Sequence, residues 1–279
     1  MAVLKEKNIK SQKMRTLKRE NMSIAYLDEG KGNTTLLFVH GSFINKAYWA
    51  AQIASFKEQY RVIAVDLPGH GHSGTNRTKW NIQEFGKDIC FLIRELKLKN
   101  VILIGHSMGG NVILEAAVNC SDVVTGFVGI DNFKNAGTPI PDELQKQFQV
   151  VLDMLNADFA NTSEAFARQA LLSASTDKTI ADRVVADYRN MDKTIGIALI
   201  ADGFSCYERE REMMAQLKVK MHLINVENSP TNEEPLKKYA SSGYKVIPIK
   251  GTCHYPMIEN PDELNRLLED VVLSINRQG

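Results

Sequence analysis

Residues 101–110 of this chain read Val-Ile-Leu-Ile-Gly-His-Ser-Met-Gly-Gly, and they constrain its fold more than any other stretch. The four apolar residues 101–104 have the pattern of a strand buried on both faces, as in a parallel sheet covered by helices. Gly105-His106-Ser107-Met108-Gly109 follows as G-x-S-x-G, and residues 111–118, apolar and alanine-containing, predict a helix. Strand, tight glycine turn and helix is the setting in which a serine hydroxyl is lifted off the end of a sheet, beside the first amides of a helix. A chance Gly-Ser loop would share the five-residue pattern but not both flanks. Ser107 is therefore the candidate nucleophile.

The same alternation runs along much of the chain. Residues 14–20 and 22–29 read as short strands, 35–40 as a buried strand running into Gly41-Ser42-Phe43, and 47–56 as a helix. Residues 60–66 form the next strand, ended by the glycine-rich loop Leu67-Pro68-Gly69-His70-Gly71-His72-Ser73-Gly74. Asn81 and Glu84 make a capping box before Phe85, Ile89, Leu92 and Leu96 at helical spacing. After the Ser107 unit, residues 123–131 are a further strand. Strands alternating with helices at these distances predict a mostly parallel sheet covered on both faces. Between 132 and about 217 the rhythm stops, and four helices are predicted: one opened by Pro139 and Pro141, with Leu144, Phe148, Val151, Leu155 and Phe159 along one side as a packing face, one capped by Asn161, one capped by Asp177, and one over 195–201. Some eighty helical residues between two strands read as an insertion of the lid type. Strands return at 221–226 and 244–249, and Asn260-Pro261 opens a last helix. The resulting division is 1–131 and 218–279 for the core and 132–217 for a helical cap.

Composition excludes more than it selects. Hydrophobic residues make up 44% and charged ones 24%, with a formal net charge of +1, which gives no argument for nucleic acid. The basic first twenty residues read as a solvated arm, and no run approaches the ~20 apolar residues of a membrane span. Cys90, Cys120, Cys206 and Cys253 have no metal-like or C-x-x-C spacing. They are expected as free thiols of a cytoplasmic protein.

A serine hydroxyl needs a base to accept its proton. Of six histidines, His254 stands apart. It follows the last strand in Gly251-Thr252-Cys253-His254-Tyr255-Pro256-Met257, where a loop at the sheet's edge can reach the nucleophile turn. His106 is expected to point away, His222 to pack in the core, and His70 or His72 to reach the pocket mouth.

The runs Phe38-Val39-His40-Gly41-Ser42-Phe43, Asp66-Leu67-Pro68-Gly69-His70-Gly71-His72-Ser73, Gly105 to Gly110, and His254-Tyr255-Pro256-Met257-Ile258-Glu259-Asn260-Pro261 resemble the α/β-hydrolase fold family, in the family's order. The resemblance implies an eight-stranded sheet with a helical cap inserted after the sixth strand, and hydrolysis through an acyl-enzyme. A serine nucleophile separates the chain from the dehalogenase and epoxide hydrolase branches, which use aspartate. One departure stands out. The acid that commonly follows the seventh strand is absent from Val226-Glu227-Asn228-Ser229. Asp131, at the end of the sixth strand, is the preferred acid, with Glu227 next and Glu233 or Glu234 more distant. Asp66 resembles the family's structural aspartate. For the oxyanion, the backbone amides of Met108 and Ser42 are the expected donors, with Phe43 the alternative and a candidate substrate contact.

The sequence thus predicts a serine carboxylesterase for small or medium, mostly uncharged esters, with a Ser107, His254 and Asp131 triad and no metal or organic cofactor. Its partner is a small-molecule ester, without nucleic acid or membrane span. Other readings are lactone, amide or carbon–carbon bond hydrolysis, acyl transfer, or a ligand receptor with slow hydrolysis. A receptor would differ by making few turnovers.

Overall fold

Runs of aliphatic and β-branched residues become strands β1 (Arg15–Arg19), β2 (Met22–Glu29), β3 (Thr35–Val39), β4 (Arg61–Val65), β5 (Val101–His106), β6 (Val124–Ile130), β7 (Met221–Val226) and β8 (Tyr244–Ile249) in the computed structural model, which describes residues 13–277. Most of the basic arm expected at the N-terminus lies outside the described residues. The strands form one eight-stranded sheet in the order β1-β2-β4-β3-β5-β6-β7-β8. β1 pairs with β2 and β2 with β4 antiparallel, and every later pair is parallel. The chain has the α/β-hydrolase fold.

Parallel neighbours need crossovers, and helices supply them. A 3-10 turn at Lys46–Trp49 leads into α1 (Ala50–Phe56), followed by α2 (Ile82–Glu95) and α3 (Met108–Asn119). Asn81 caps α2 as expected, its side chain accepting from the Glu84 amide at 2.8 Å. Leu36, Leu37, Phe38, Ile102, Leu103 and Ile104 are fully buried, so the sheet centre has no wet face.

Between β6 and β7 come α4 (Asp142–Ala157), α5 (Phe159–Phe166) with a π turn at Ala167–Leu171, α6 (Lys178–Asn190), α7 (Lys193–Ser205) and α8 (Tyr207–Gln216). Here the sequence reading needs correction. α5 is capped by Asp158, whose carboxylate accepts from the Asn161 amide at 3.2 Å, and Asn161 already sits in the first turn. α8 was not anticipated, because its charged sequence carries only Met213 and Met214 into the core. The apolar stripe of α4 buries only Leu155, leaving Leu144, Val150, Val151 and Met154 exposed.

After β7 come α9 (Glu234–Tyr239), α10 (Pro256–Glu259) and α11 (Pro261–Asn276). Asn260 does not cap α11 with its side chain but donates to the Lys250 carbonyl at 3.0 Å. A disulfide joins Cys90 on α2 to Cys120 at the end of α3, with Cα atoms 6.0 Å apart. The expectation of four free thiols, on which the cytoplasmic reading leaned, fails at this pair. Two helices packed side by side brought together residues whose spacing gave no sign of it. Among the described residues, no helix is long and apolar enough to cross a membrane.

The loop after β4 is organised by Asp66, which is fully buried. It accepts from the Lys46 amide at 2.8 Å and the His72 amide at 2.8 Å, and pairs with the Lys46 ammonium at 2.5 Å. Lys46 is itself buried. Replacing Asp66 by Asn leaves that ammonium without its counter-charge, and such breaks cost about 3–5 kcal/mol. Urea unfolding should show a loss of that size for Asp66→Asn, and a change within experimental error would show that Lys46 finds another partner.

Candidate active site

β5 ends at His106 and α3 begins at Met108, so the whole turn falls on Ser107, with φ 50° and ψ −123°. A non-glycine residue held there costs of order 1–3 kcal/mol and persists only where its surroundings enforce it. The enforcement is visible in the packing. A Cβ on Gly109 would run into the carbonyls of Val39 and His40 at the end of β3, and one on Gly105 into the Gly109 carbonyl. The Ser107 amide donates to the Ile130 carbonyl at 3.0 Å, and the Asn132 side-chain amide reaches the Ser107 carbonyl at 3.4 Å.

β5 and β6 are in register at their ends, His106 opposite Ile130. Ser107 and Asp131 therefore leave adjacent strands at the same level. Asp131 also has a positive φ, 47°, and its amide donates to the Ile224 carbonyl on β7 at 2.9 Å. One carboxylate oxygen accepts from the Val226 amide at 3.2 Å and pairs with Lys134 at 2.7 Å. The other lies 2.6 Å from His254 Nδ1. Burial pushes the Asp131 pKa up, but the hydrogen bond from His254 and the charges of His254 and Lys134 outweigh it and hold the group at about 2. An ionised carboxylate can only accept, so His254 Nδ1 carries a proton, and in the neutral imidazole this leaves Nε2 as the acceptor.

The loop carrying His254 is held from two sides. His106 Nε2 donates to the His254 carbonyl at 2.7 Å. Glu259 accepts from the Thr252 hydroxyl at 2.7 Å and from the amides of Cys253 and Tyr255 at 2.7 and 3.2 Å. Across the sheet, His40 Nε2 accepts from the Leu67 amide at 2.9 Å, which leaves Nδ1–H to donate to the Gly41 carbonyl at 2.8 Å. That fixes the start of the loop bearing Ser42 and Phe43. Phe43 has a φ of 64° and packs on Tyr188 with ring centroids 4.9 Å apart.

Ser42, Phe43, Ser107, Met108 and His254 line one cavity of about 450 Å³. Its far walls come from the helices between β6 and β7 and are mainly apolar, including Val151, Leu155, Phe166 and Leu171. Other candidates are not brought there. Glu227 is on the surface by Lys250, 3.5 Å away, while Glu233 meets Tyr244 and Glu234 meets Lys237. His70 is buried against Phe85 and bonded to the Pro68 carbonyl, and His72 is exposed beside Asp66. Neither lines the cavity, contrary to expectation. His222 is buried within β7 as expected. Sequence reasoning missed Lys134, Asn132, Glu259 and the use of His106. Only Lys134, three residues beyond Asp131, left a local sign. Among the described residues, no group of three or more His, Cys, Asp or Glu side chains could hold a metal ion.

Residues 36–267 match the model of the alpha/beta hydrolase family. A putative esterase/lipase of Haemophilus influenzae is 38% identical over 96 residues, which is 34% of this chain and 33% of that protein. The matches to this and the next curated relatives span only about a third of their lengths. A pimeloyl-[acyl-carrier protein] methyl ester esterase of Yersinia pseudotuberculosis is 24% identical over 86% of this chain and 93% of its own. Among solved structures, a thermophilic esterase from Thermogutta terrifontis superposes with a TM-score of 0.77 at 19% identity, over 94% of this chain and 99% of that one.

A folded-state pKa of about 2 for Asp131 lies below the roughly 3.9 of an unfolded-chain aspartate. Its ionised form therefore adds stability that is complete above about pH 4 and is lost as pH falls through 2, on the order of 2 kcal/mol. The stability gap between the wild type and Asp131→Asn should narrow by most of that amount between pH 6 and pH 2. Urea unfolding at the two pH values measures it, and a gap independent of pH would contradict the pairing.

Proposed function

The chain belongs to the alpha/beta hydrolase family, and from that premise we propose that it is a serine hydrolase of carboxylic esters. The observation that carries this reading is the 2.6 Å contact of His254 Nδ1 with Asp131, on an imidazole that lines the same cavity as Ser107. His254 Nε2 takes the proton of Ser107 as its hydroxyl attacks the ester carbonyl. Asp131 holds the imidazole in the required tautomer and stabilises the imidazolium. The backbone amides of Met108, at the start of α3, and of Ser42 receive the oxyanion. His254 then protonates the leaving alcohol, and later draws a proton from the water that releases the acid. No step calls for a metal or organic cofactor.

Residues 132–217 act as a cap over this chemistry, keeping water from the acyl-enzyme and shaping the substrate site. A cavity of about 450 Å³ with mainly apolar walls suits a small or medium ester, its acyl chain against Val151, Leu155 and Phe166 and its carbonyl beside Phe43.

Steady-state hydrolysis of p-nitrophenyl esters from acetate to octanoate tests the proposal. Many turnovers are expected from the wild type, with Ser107→Ala reducing kcat by about 10⁶-fold. Turnover that survives Ser107→Ala would refute the serine mechanism. Asp131→Asn should lower kcat about 10⁴-fold, whereas Glu227→Gln should change it less than twofold. The reverse order would move the acid to Glu227.

A further inference from the structure

One sector of the cavity wall breaks its apolar character. Asn111, Cys206 and Glu210 line it together. Asn111 stands four residues beyond Ser107 on α3, about 6 Å along the helix axis. Glu210 comes across from α8. Its carboxylate accepts from the Asn111 side-chain amide at 2.5 Å and the Gly137 amide at 2.6 Å, with Cys206 Sγ at 3.8 Å. A carboxylate offers about four acceptor positions, and these contacts fill two of them well.

Among the described residues, no cation answers the charge. Arg209 turns to Glu115, at 2.7 and 3.0 Å, and Arg211 turns to the Gly137 carbonyl at 2.5 Å. Among the described residues, no Lys, Arg or His pairs with Glu210, and burial pushes its pKa up against the neutral donors Gly137, Asn111 and Cys206 alone. A carboxylate largely withdrawn from water without a counter-charge is disfavoured. Glu210 is only partly buried and is among the residues that line the cavity holding Ser107.

Resting on the ester-hydrolase reading, we propose that Glu210 and Asn111 bind a hydrogen-bond-donating group of the substrate, an ammonium or a hydroxyl, about one helical turn from the carbonyl that Ser107 attacks. Glu210 and the Asn111 carbonyl oxygen accept from that group while the rest of the molecule lies along the apolar walls. The substrates are therefore amphipathic esters, apolar along most of their length with a single donor.

The test compares p-nitrophenyl esters of heptanoic, 6-hydroxyhexanoic and 6-aminohexanoic acids, and acetates of the alcohols with the same three termini, on the wild type and Glu210→Gln. The measured quantity is the ratio of kcat/KM for the donor-bearing ester to that for its methyl-ended isostere. A ratio of about ten or more is expected for the wild type in at least one series, falling several-fold in Glu210→Gln. Preference for the amino ester identifies an ammonium, and preference for the hydroxy ester a neutral donor. A ratio near or below one in both series, or one that Glu210→Gln leaves unchanged, overturns the proposal. n-Hexylamine, n-hexanol and n-heptane as competitors of wild-type hydrolysis provide a second measurement should Glu210→Gln not fold. Inhibition by the amine or the alcohol no stronger than by heptane also overturns the proposal. If no ester is turned over, the ester-hydrolase reading fails by itself. Thermal stabilisation of the wild type by hexylamine or hexanol beyond that by heptane still tests the donor site, and its absence overturns that too.

Discussion

The hydrogen bond between His254 and Asp131 joins chain segments 123 residues apart, and much of the architecture can be read as what makes it possible. Two charged or polar groups that meet in a buried place gain from each other only if both are held in position. Asp131 is held by the Val226 amide and the Ile224 carbonyl of β7 and by Lys134, and His254 by the carboxylate of Glu259 and the ring of His106. Apart from Glu259, which ends α10, each of these supports comes from the carboxyl end of a strand or from the loop that follows it. A parallel sheet gathers those ends on one edge, and that is where such sites form.

Strain is concentrated at the same edge. Phe43, Ser107, Asp131 and Phe133 all have positive φ, though none is a glycine. All four leave the ends of β3, β5 or β6 directly or within a few residues. The fold offsets this strain with the close contact of Gly109 against β3 and with backbone hydrogen bonds between strand ends. Rigid elements thereby present the Ser107 hydroxyl and the Asp131 carboxylate at one level.

The helices between β6 and β7 follow a different logic. Phe166 and Phe204 are about half exposed, yet both line the cavity, so apolar side chains of these helices face the cavity and solvent at once. A helix that shares its apolar face between a cavity and solvent cannot be told from a core helix by periodicity. This is why the stripe of α4 reads in the sequence as a buried face and proves to bury only Leu155. The same limit hid α8, whose charged sequence brings Glu210 to the cavity.

By itself the sequence determined what depends on neighbours along the chain. The buried pattern of β5, the glycine turn at Ser107, the Asn81 cap and the strand and helix alternation are local, and each is present at its expected place. The candidates for base and acid were also legible, because the strand ends that could carry them were few. Only the tertiary structure decided which side chains meet. It brought Asp131 rather than Glu227 to His254, joined Cys90 to Cys120, kept His70 and His72 out of the cavity and, among the described residues, left Glu210 without a cation. Such meetings depend on strand order, register and helix packing. These are set by burial summed over the whole chain, and no short run of residues encodes them.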